Sequence, residues 1–454
     1  MGAIRRFFSE NRGNIKRTVG VAWPAVLESF FVAFVGMVDS MMVSQLGEYA
    51  VAAVGLTTQP KFIGLALFIA TNVAVSALIA RRKGQDDRED ACKVLITAVM
   101  FTIIAGIAVS LLCIIFASPI IHFAGSEAET HEASVMYFRI IMGGIIFNMI
   151  SLVINAAQRG SGNTKIALRT NLVSNIVNVI CNYLLIQGHL GFPKLGIQGA
   201  AIATVLGTVV ACGMSIASLF DKNSFVSLPY IFKNKFKASF ATLKQIFNIS
   251  SNVFVEQVFL RIGFMSVSMM AAKMGTQAFA AHQVGMNIMA LSFSFGDGMQ
   301  VAAVTLIGQS LGQGLPELAK RFGTICQRMG NLISIILSVL YLFLGEWYFG
   351  LFFEDPTTVA IGVKIMEIMV VLVLMQVAQV IYMGCLRGAG DVRFTTGASI
   401  LCVTIIRPLL SYLFAYTLGI GIIGVWYGCI GDQVCRLILT SYRFKSGKWQ
   451  KIAI

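Results

Sequence analysis

Charge is scarce in this sequence. Asp, Glu, Lys and Arg make up 12% of its 454 residues, roughly half the share of an ordinary soluble domain. The 57% of apolar residues are spread along the whole chain in blocks of 20–30, which excludes a soluble enzyme with a single membrane anchor. Each block is long enough for one helical crossing of a bilayer. The alternating segments of about ten residues that mark a transmembrane barrel are missing. Histidine is rare, at four, and the nine cysteines include no CxxC pair, so neither a metal centre nor a disulfide framework is supported. No nucleophile and base converge, which weighs against an integral-membrane enzyme. Of eight prolines, only Pro24, Pro60 and Pro408 lie inside apolar blocks.

What is present predicts an all-α integral membrane protein with twelve transmembrane helices. They are expected near 18–44, 50–80, 92–117, 133–158, 165–187, 197–220, 246–272, 278–311, 320–347, 358–386, 394–418 and 422–441. The positive charge is sorted to match. Of 35 Lys and Arg, 28 fall at the N-terminus (Arg5, Arg6, Arg12, Lys16, Arg17), in alternate connections and at 436–451, whereas the opposite connections carry few and include Glu354 and Asp355. The positive-inside rule then puts both termini in the cytoplasm of a multi-pass protein of the cell's inner membrane. The net charge of +14 is thereby topological, and no nucleic-acid partner is needed to explain it.

An internal repeat organises the chain. Residues 38–53 match 266–281 through Ser40/Ser268, Met41/Met269, Met42/Met270, Gly47/Gly275, Ala50/Ala278, Ala52/Ala280 and Ala53/Ala281, an offset of 228. The same offset aligns Glu28 with Glu256, Gly84-Gln85 with Gly312-Gln313, and Arg159-Gly160-Ser161-Gly162 with Arg387-Gly388-Ala389-Gly390. Six helices separate the copies, an even number, so the halves share one orientation. Two six-helix lobes are expected, 1–220 and 246–454, with a basic cytoplasmic linker at 221–245 and a cleft between the lobes.

Ionisable groups inside spans cost about 2.5–3.5 kcal/mol on insertion scales and so demand a partner or a purpose. Glu28 and Asp39 lie eleven residues apart on one face of the first helix. Asn171, Asn175, Asn178 and Asn182 form a stripe on the fifth. Asn248, Asn252 and Glu256 line the seventh, with Arg261 at i+5 as a structural partner for the glutamate; Asp297 and Arg407 are intramembrane and able to pair across the lobe. Pro24 removes a hydrogen bond inside the first helix and marks a hinge or a static kink.

The strings Gln158-Arg159-Gly160-Ser161-Gly162-Asn163-Thr164-Lys165, Gly196-Ile197-Gln198-Gly199-Ala200-Ala201-Ile202-Ala203-Thr204 and Leu386-Arg387-Gly388-Ala389-Gly390-Asp391, with Gly36-Met37-Val38-Asp39-Ser40 and the Asn-rich fifth helix, resemble the MATE (multidrug and toxic compound extrusion) family over essentially the whole chain. That resemblance implies a non-enzymatic secondary exporter of organic cations that takes up H⁺ or Na⁺. The same superfamily also holds lipid and lipid-linked oligosaccharide flippases, the alternative reading. The resemblance makes Asp39 the coupling carboxylate and Asn178, Asn182 and Thr204 its neighbours in a candidate Na⁺ site. It adds Glu256 in the second lobe. Two positions depart from the family pattern: Asn182 stands where the archaeal type has aspartate, and Gln376 where NorM-type members have one. A proton needs one carboxylate whereas a hard metal ion needs several oxygens, so the departure at Asn182 favours H⁺. The expected partners are organic cations and the lipid bilayer, and the expected state is a monomer.

Overall fold

The computed structural model describes residues 11–126, 128–221, 224–350, 352–353 and 355–452; Arg5, Arg6 and Glu354 of the charge pattern lie outside them. Long helices dominate: α1 (Arg12–Ser44), α2 (Glu48–Gly84), α3 (Arg88–Ile115), α4 (Ala128–Gly160), α5 (Thr164–Gln187), α6 (Ile197–Ser218), α7 (Phe240–Ala272), α8 (Thr276–Gly312), α9 (Pro316–Gly350), α10 (Pro356–Gly388), α11 (Val392–Thr417) and α12 (Ile422–Lys445). Eleven of them are long and apolar enough to cross a membrane. The twelfth expected span, α5, has 24 residues, sufficient in length, but its amide stripe with Lys165 and Arg169 keeps its apolarity low. The helices match the expected blocks and run a few residues past most of them, because polar end residues continue the hydrogen-bond ladder at no cost to solvation.

The repeat reappears as geometry. Helices α1 and α7 have 33 residues each, α2 and α8 have 37 each, and α4 and α10 have 33 each, every pair displaced by the offset seen in the sequence. The turns obey it too. Gly47 and Gly275, just before α2 and α8, hold φ of 99° and 104°, a region that admits glycine and few other residues.

The chain divides into two compact units, one of Phe31–Phe254, the other of the residues before Phe31 together with those from Val255 onward. The divisions therefore fall inside α1 and α7. In the first unit α4 is central and packs on α2, α3 and α6, with α5 against α6; in the second, α10 packs on α8, α9 and α12, with α11 against α12. The first unit also contains the linker. Its short helix Leu228–Asn234 docks on the start of α3, where Arg88 donates to the Phe225 and Ser224 carbonyls at 2.9 Å each and covers the Tyr230 ring at 4.3 Å.

Helix α1 runs unbroken through the buried Pro24. Helix α11 departs from α geometry, widening into π turns at Ile400–Ile406 and Leu413–Thr417 on either side of Arg407–Tyr412. Pro408 has no N–H to give the preceding turn. Thr404 in that turn donates its hydroxyl to the Phe259 carbonyl of α7, 2.9 Å away. All nine cysteines are free thiols.

Candidate functional site

In the first unit, α6 carries the buried small residues Gly199, Ala203, Gly207 and Ala211 at helical spacing, a face that lets another helix approach closely. Helix α5 uses it. A Cβ added at Gly207 would lie 2.9 Å from the Ser174 carbonyl oxygen and 3.2 Å from the Asn178 Cβ. The close approach sets the amide stripe of α5 against Thr204. Asn178 Nδ2 donates to Thr204 Oγ1 at 3.3 Å, and Thr204 in turn donates to the Ala200 carbonyl at 3.0 Å. One turn further along, Asn182 Nδ2 is shared between Asn178 Oδ1 at 3.4 Å and Asp39 Oδ1 at 2.8 Å. Four residues that the sequence singles out thus form one hydrogen-bonded chain ending on a carboxylate.

Asn182 is 1% exposed, and its Oδ1 is buried with no hydrogen-bond partner. Val43, Ala50, Tyr137, Ile141, Ile186, Ala200 and Ala201 pack in one apolar cluster around this end of the unit. Two residues that the sequence reading passed over complete the surroundings. Tyr137 is buried in this cluster with its hydroxyl toward the Thr204 side chain, and Lys61 of α2 is a basic group whose charge is felt at Asp39. A lysine in mid-span is itself a signal of function, hidden here by the apolar run around it. The N-terminal half of the stripe is less enclosed: Asn171 and Asn175 are half-buried.

Glu256 belongs to the other unit and is 1% exposed. Its partner is not Arg261, as the i+5 spacing had implied, but Arg387, whose Nη2 reaches both carboxylate oxygens at 2.8 and 2.9 Å. Arg387 closes α10 just before Gly388, where a Cβ would lie 2.6 Å from the Val304 carbonyl oxygen of α8. The Arg-Gly pair of the repeat motif is therefore a packing joint that delivers a guanidinium. Gln376 is buried on the same helix, its Oε1 without a partner.

Arg407 pairs with Asp432 rather than with Asp297. Its Nε donates to Asp432 Oδ2 at 3.0 Å, and Arg436 reaches Oδ2 through Nη2 at 2.9 Å and Oδ1 through Nε at 2.8 Å. Asp432 is 0% exposed, so α11 and α12 share a buried triad of two cations and one anion. Asp432 and Arg436 stand at i, i+4 on α12, and in sequence Arg436 belongs to the basic C-terminal cluster. Asp297 is half-buried on α8, and Glu28 is buried on α1 in the same unit as Glu256.

Long apolar helices in two repeated sets, enclosing charged and amide side chains, define a multi-pass membrane protein built like a carrier. Residues 24–184 and 253–413 each match the MatE family, and the chain belongs to that family of transporters. A relative from Thermotoga maritima named "Probable multidrug resistance protein NorM" is 26% identical over 444 residues, covering 97% of this chain and 94% of its own. The "Uncharacterized transporter YisQ" of Bacillus subtilis is 27% identical over 437 residues, 94% of each chain. The fold matches a solved structure described as the outward-facing conformation of a multidrug resistance MATE family transporter of the MOP superfamily. The TM-score is 0.89 over 96% of this chain and 97% of that one, at 21% identity.

Proposed function

We propose that this protein is a secondary active exporter of organic cations driven by inward movement of H⁺, with Asp39 as the coupling carboxylate. The observation that carries the reading is the chain from Thr204 through Asn178 and Asn182 to Asp39. A lone carboxylate at the end of an amide relay accepts and releases a proton without assembling a metal shell, and its hydrogen-bond network changes when it does so. Glu256 already has a guanidinium partner in Arg387, which leaves Asp39 as the better coupling group. On this reading the protein is a monomer in the cell's inner membrane, its lobes 1–220 and 246–454 joined by a cytoplasmic linker at 221–245 and both termini cytoplasmic. The kinship with multidrug resistance proteins supports drug-like substrates.

Everted vesicles loaded with this protein test the proposal. A fluorescent organic cation should accumulate when a pH gradient is imposed. Failure under the H⁺ gradient, whether or not a Na⁺ gradient drives accumulation, would refute it. A second reading, a flippase for an anionic lipid-linked substrate, draws on Lys61 and on the excess of arginine in the α11–α12 triad. Resistance rising only toward anionic compounds would favour that second reading.

A further inference from the structure

We propose that the linker carries a binding surface for anionic phospholipid, formed by Lys233, Lys235 and Lys237 between the exposed rings of Phe232 and Phe240. From Lys222 to Val255 the chain has five lysines and no acidic residue. A run of one sign is ordinarily a solvated loop, but this one is fixed to α3. Arg88 covers the Tyr230 ring at 4.3 Å, Lys93 stands 5.8 Å over the Phe236 ring, and the Ser239 amide donates to Thr97 Oγ1 at 3.2 Å. Positions 230, 236 and 239 thus descend beside positions 88, 93 and 97. At 1.5 Å per residue the descent covers about 13 Å of α3.

The depth of the strap follows. Lys93 is the last charged residue of α3, and positions 94–115 are uncharged. Those positions span about 33 Å as a helix, close to the roughly 30 Å of a bilayer's hydrocarbon core. Thr97 therefore lies within about one turn of the core's edge. Ser239 and Phe240, level with Thr97, stand where headgroups meet acyl chains, and the three lysines before them stand among the headgroups.

The side chains suit that place. Phe232 and Phe240 are 71% and 83% exposed, and Lys233, Lys235 and Lys237 are exposed with them. Bare phenyl rings among ammonium groups match a layer that offers acyl chain to a ring and phosphate to a lysine. A soluble phosphate would satisfy the lysines and leave the rings in water. A zwitterionic lipid would cover the rings but offset its phosphate with its own cation. An anionic phospholipid answers both.

The test is fluorescence quenching in lipid nanodiscs holding the full-length protein with Phe240→Trp or Phe232→Trp, read as the difference from the unmodified chain. Brominated phosphatidylglycerol or brominated phosphatidylcholine is added to a phosphatidylcholine bilayer. Both should quench the added tryptophan, the anionic lipid at a mole fraction about fivefold lower. Lys233→Gln, Lys235→Gln and Lys237→Gln together should reduce that preference below about twofold, whereas Lys233→Arg, Lys235→Arg and Lys237→Arg should keep it. Millimolar glycerol phosphate should change nothing. Equal quenching by the two lipids would overturn the proposal, as would a preference that survives in the glutamine variant when its Tm shows it folded. Quenching by aqueous iodide in place of brominated lipid would mean a surface turned to a water-borne partner, and relief by glycerol phosphate a soluble-phosphate site; either result overturns it as well.

Discussion

Asn182 donates a 2.8 Å hydrogen bond to Asp39 across 143 residues of sequence. The bond joins the end of the α5 stripe to the later half of α1 and gives a polar row of amides a chemical terminus. Asp39→Asn keeps the shape and removes the ionisable group. It should abolish gradient-driven export while leaving binding of the dye to purified protein within about twofold; full export by this variant would remove Asp39 from the mechanism.

Asn182→Asp places a second carboxylate beside the first. The set then has the second negative charge and the several oxygens that a hard cation needs. Export by this variant should respond to a Na⁺ gradient in vesicles where the unmodified chain does not. An unchanged ion preference would count against Asp39 and Asn182 forming a single site.

The triad of Arg407, Asp432 and Arg436 is predicted to matter for stability through its anion. Asp432→Ala leaves two buried guanidinium groups without compensation and should destabilise the protein by about 3–5 kcal/mol, seen as a sharp fall in Tm in detergent. Replacing all three with apolar residues of similar size should recover most of the loss. If Asp432→Ala melts like the unmodified protein, the pairing contributes nothing.

Topology is open to a chemical check. In a chain freed of its native cysteines, Ser126→Cys should react with an impermeant thiol reagent from outside intact cells. Gly84→Cys and Asn234→Cys should react only after permeabilisation. Labelling of all three from one side would overturn the placement of the termini.

The start of α10 should be sensitive to acid. Asp355 accepts from the hydroxyls and amides of Thr357 and Thr358, which lowers its pKa from 3.8 to about 2. A depressed carboxylate contributes its stabilisation in full above the unfolded value and loses it as pH falls through the folded one. Amide exchange at Thr357 and Thr358, corrected for intrinsic rates, should therefore keep its protection down to about pH 4 and lose it toward pH 2. In Asp355→Ala the protection should be low throughout.

Much of this was readable from sequence because the bilayer enforces simple rules. Blocks of apolar residues had to become helices, and the offset linking Gly47 to Gly275 carried through to paired turns with matching φ. The amide stripe with Asn178 and Asn182 was legible from its spacing on one helix face, whereas Asp39 and Thr204 were joined to it through the family resemblance. Partners chosen by tertiary approach were not. Glu256 had Arg261 nearby in sequence, yet bonds Arg387, which Gly388 brings in by allowing α10 to touch α8. Lys61 was obscured because one charge barely changes the mean hydropathy of a 37-residue helix.

The small-residue face of α6 has a consequence for how such sequences diverge. Gly207 holds α6 near enough to α5 for Asn178 to reach Thr204, so the steric lettering of one helix and the chemical lettering of the other are inherited as one word. A bulkier side chain at position 207 would widen the gap and silence the amide relay without touching any of its members. Positions 174, 178, 204 and 207 should accordingly drift together, and a lineage that abandons the relay should be recognisable first by the loss of a glycine.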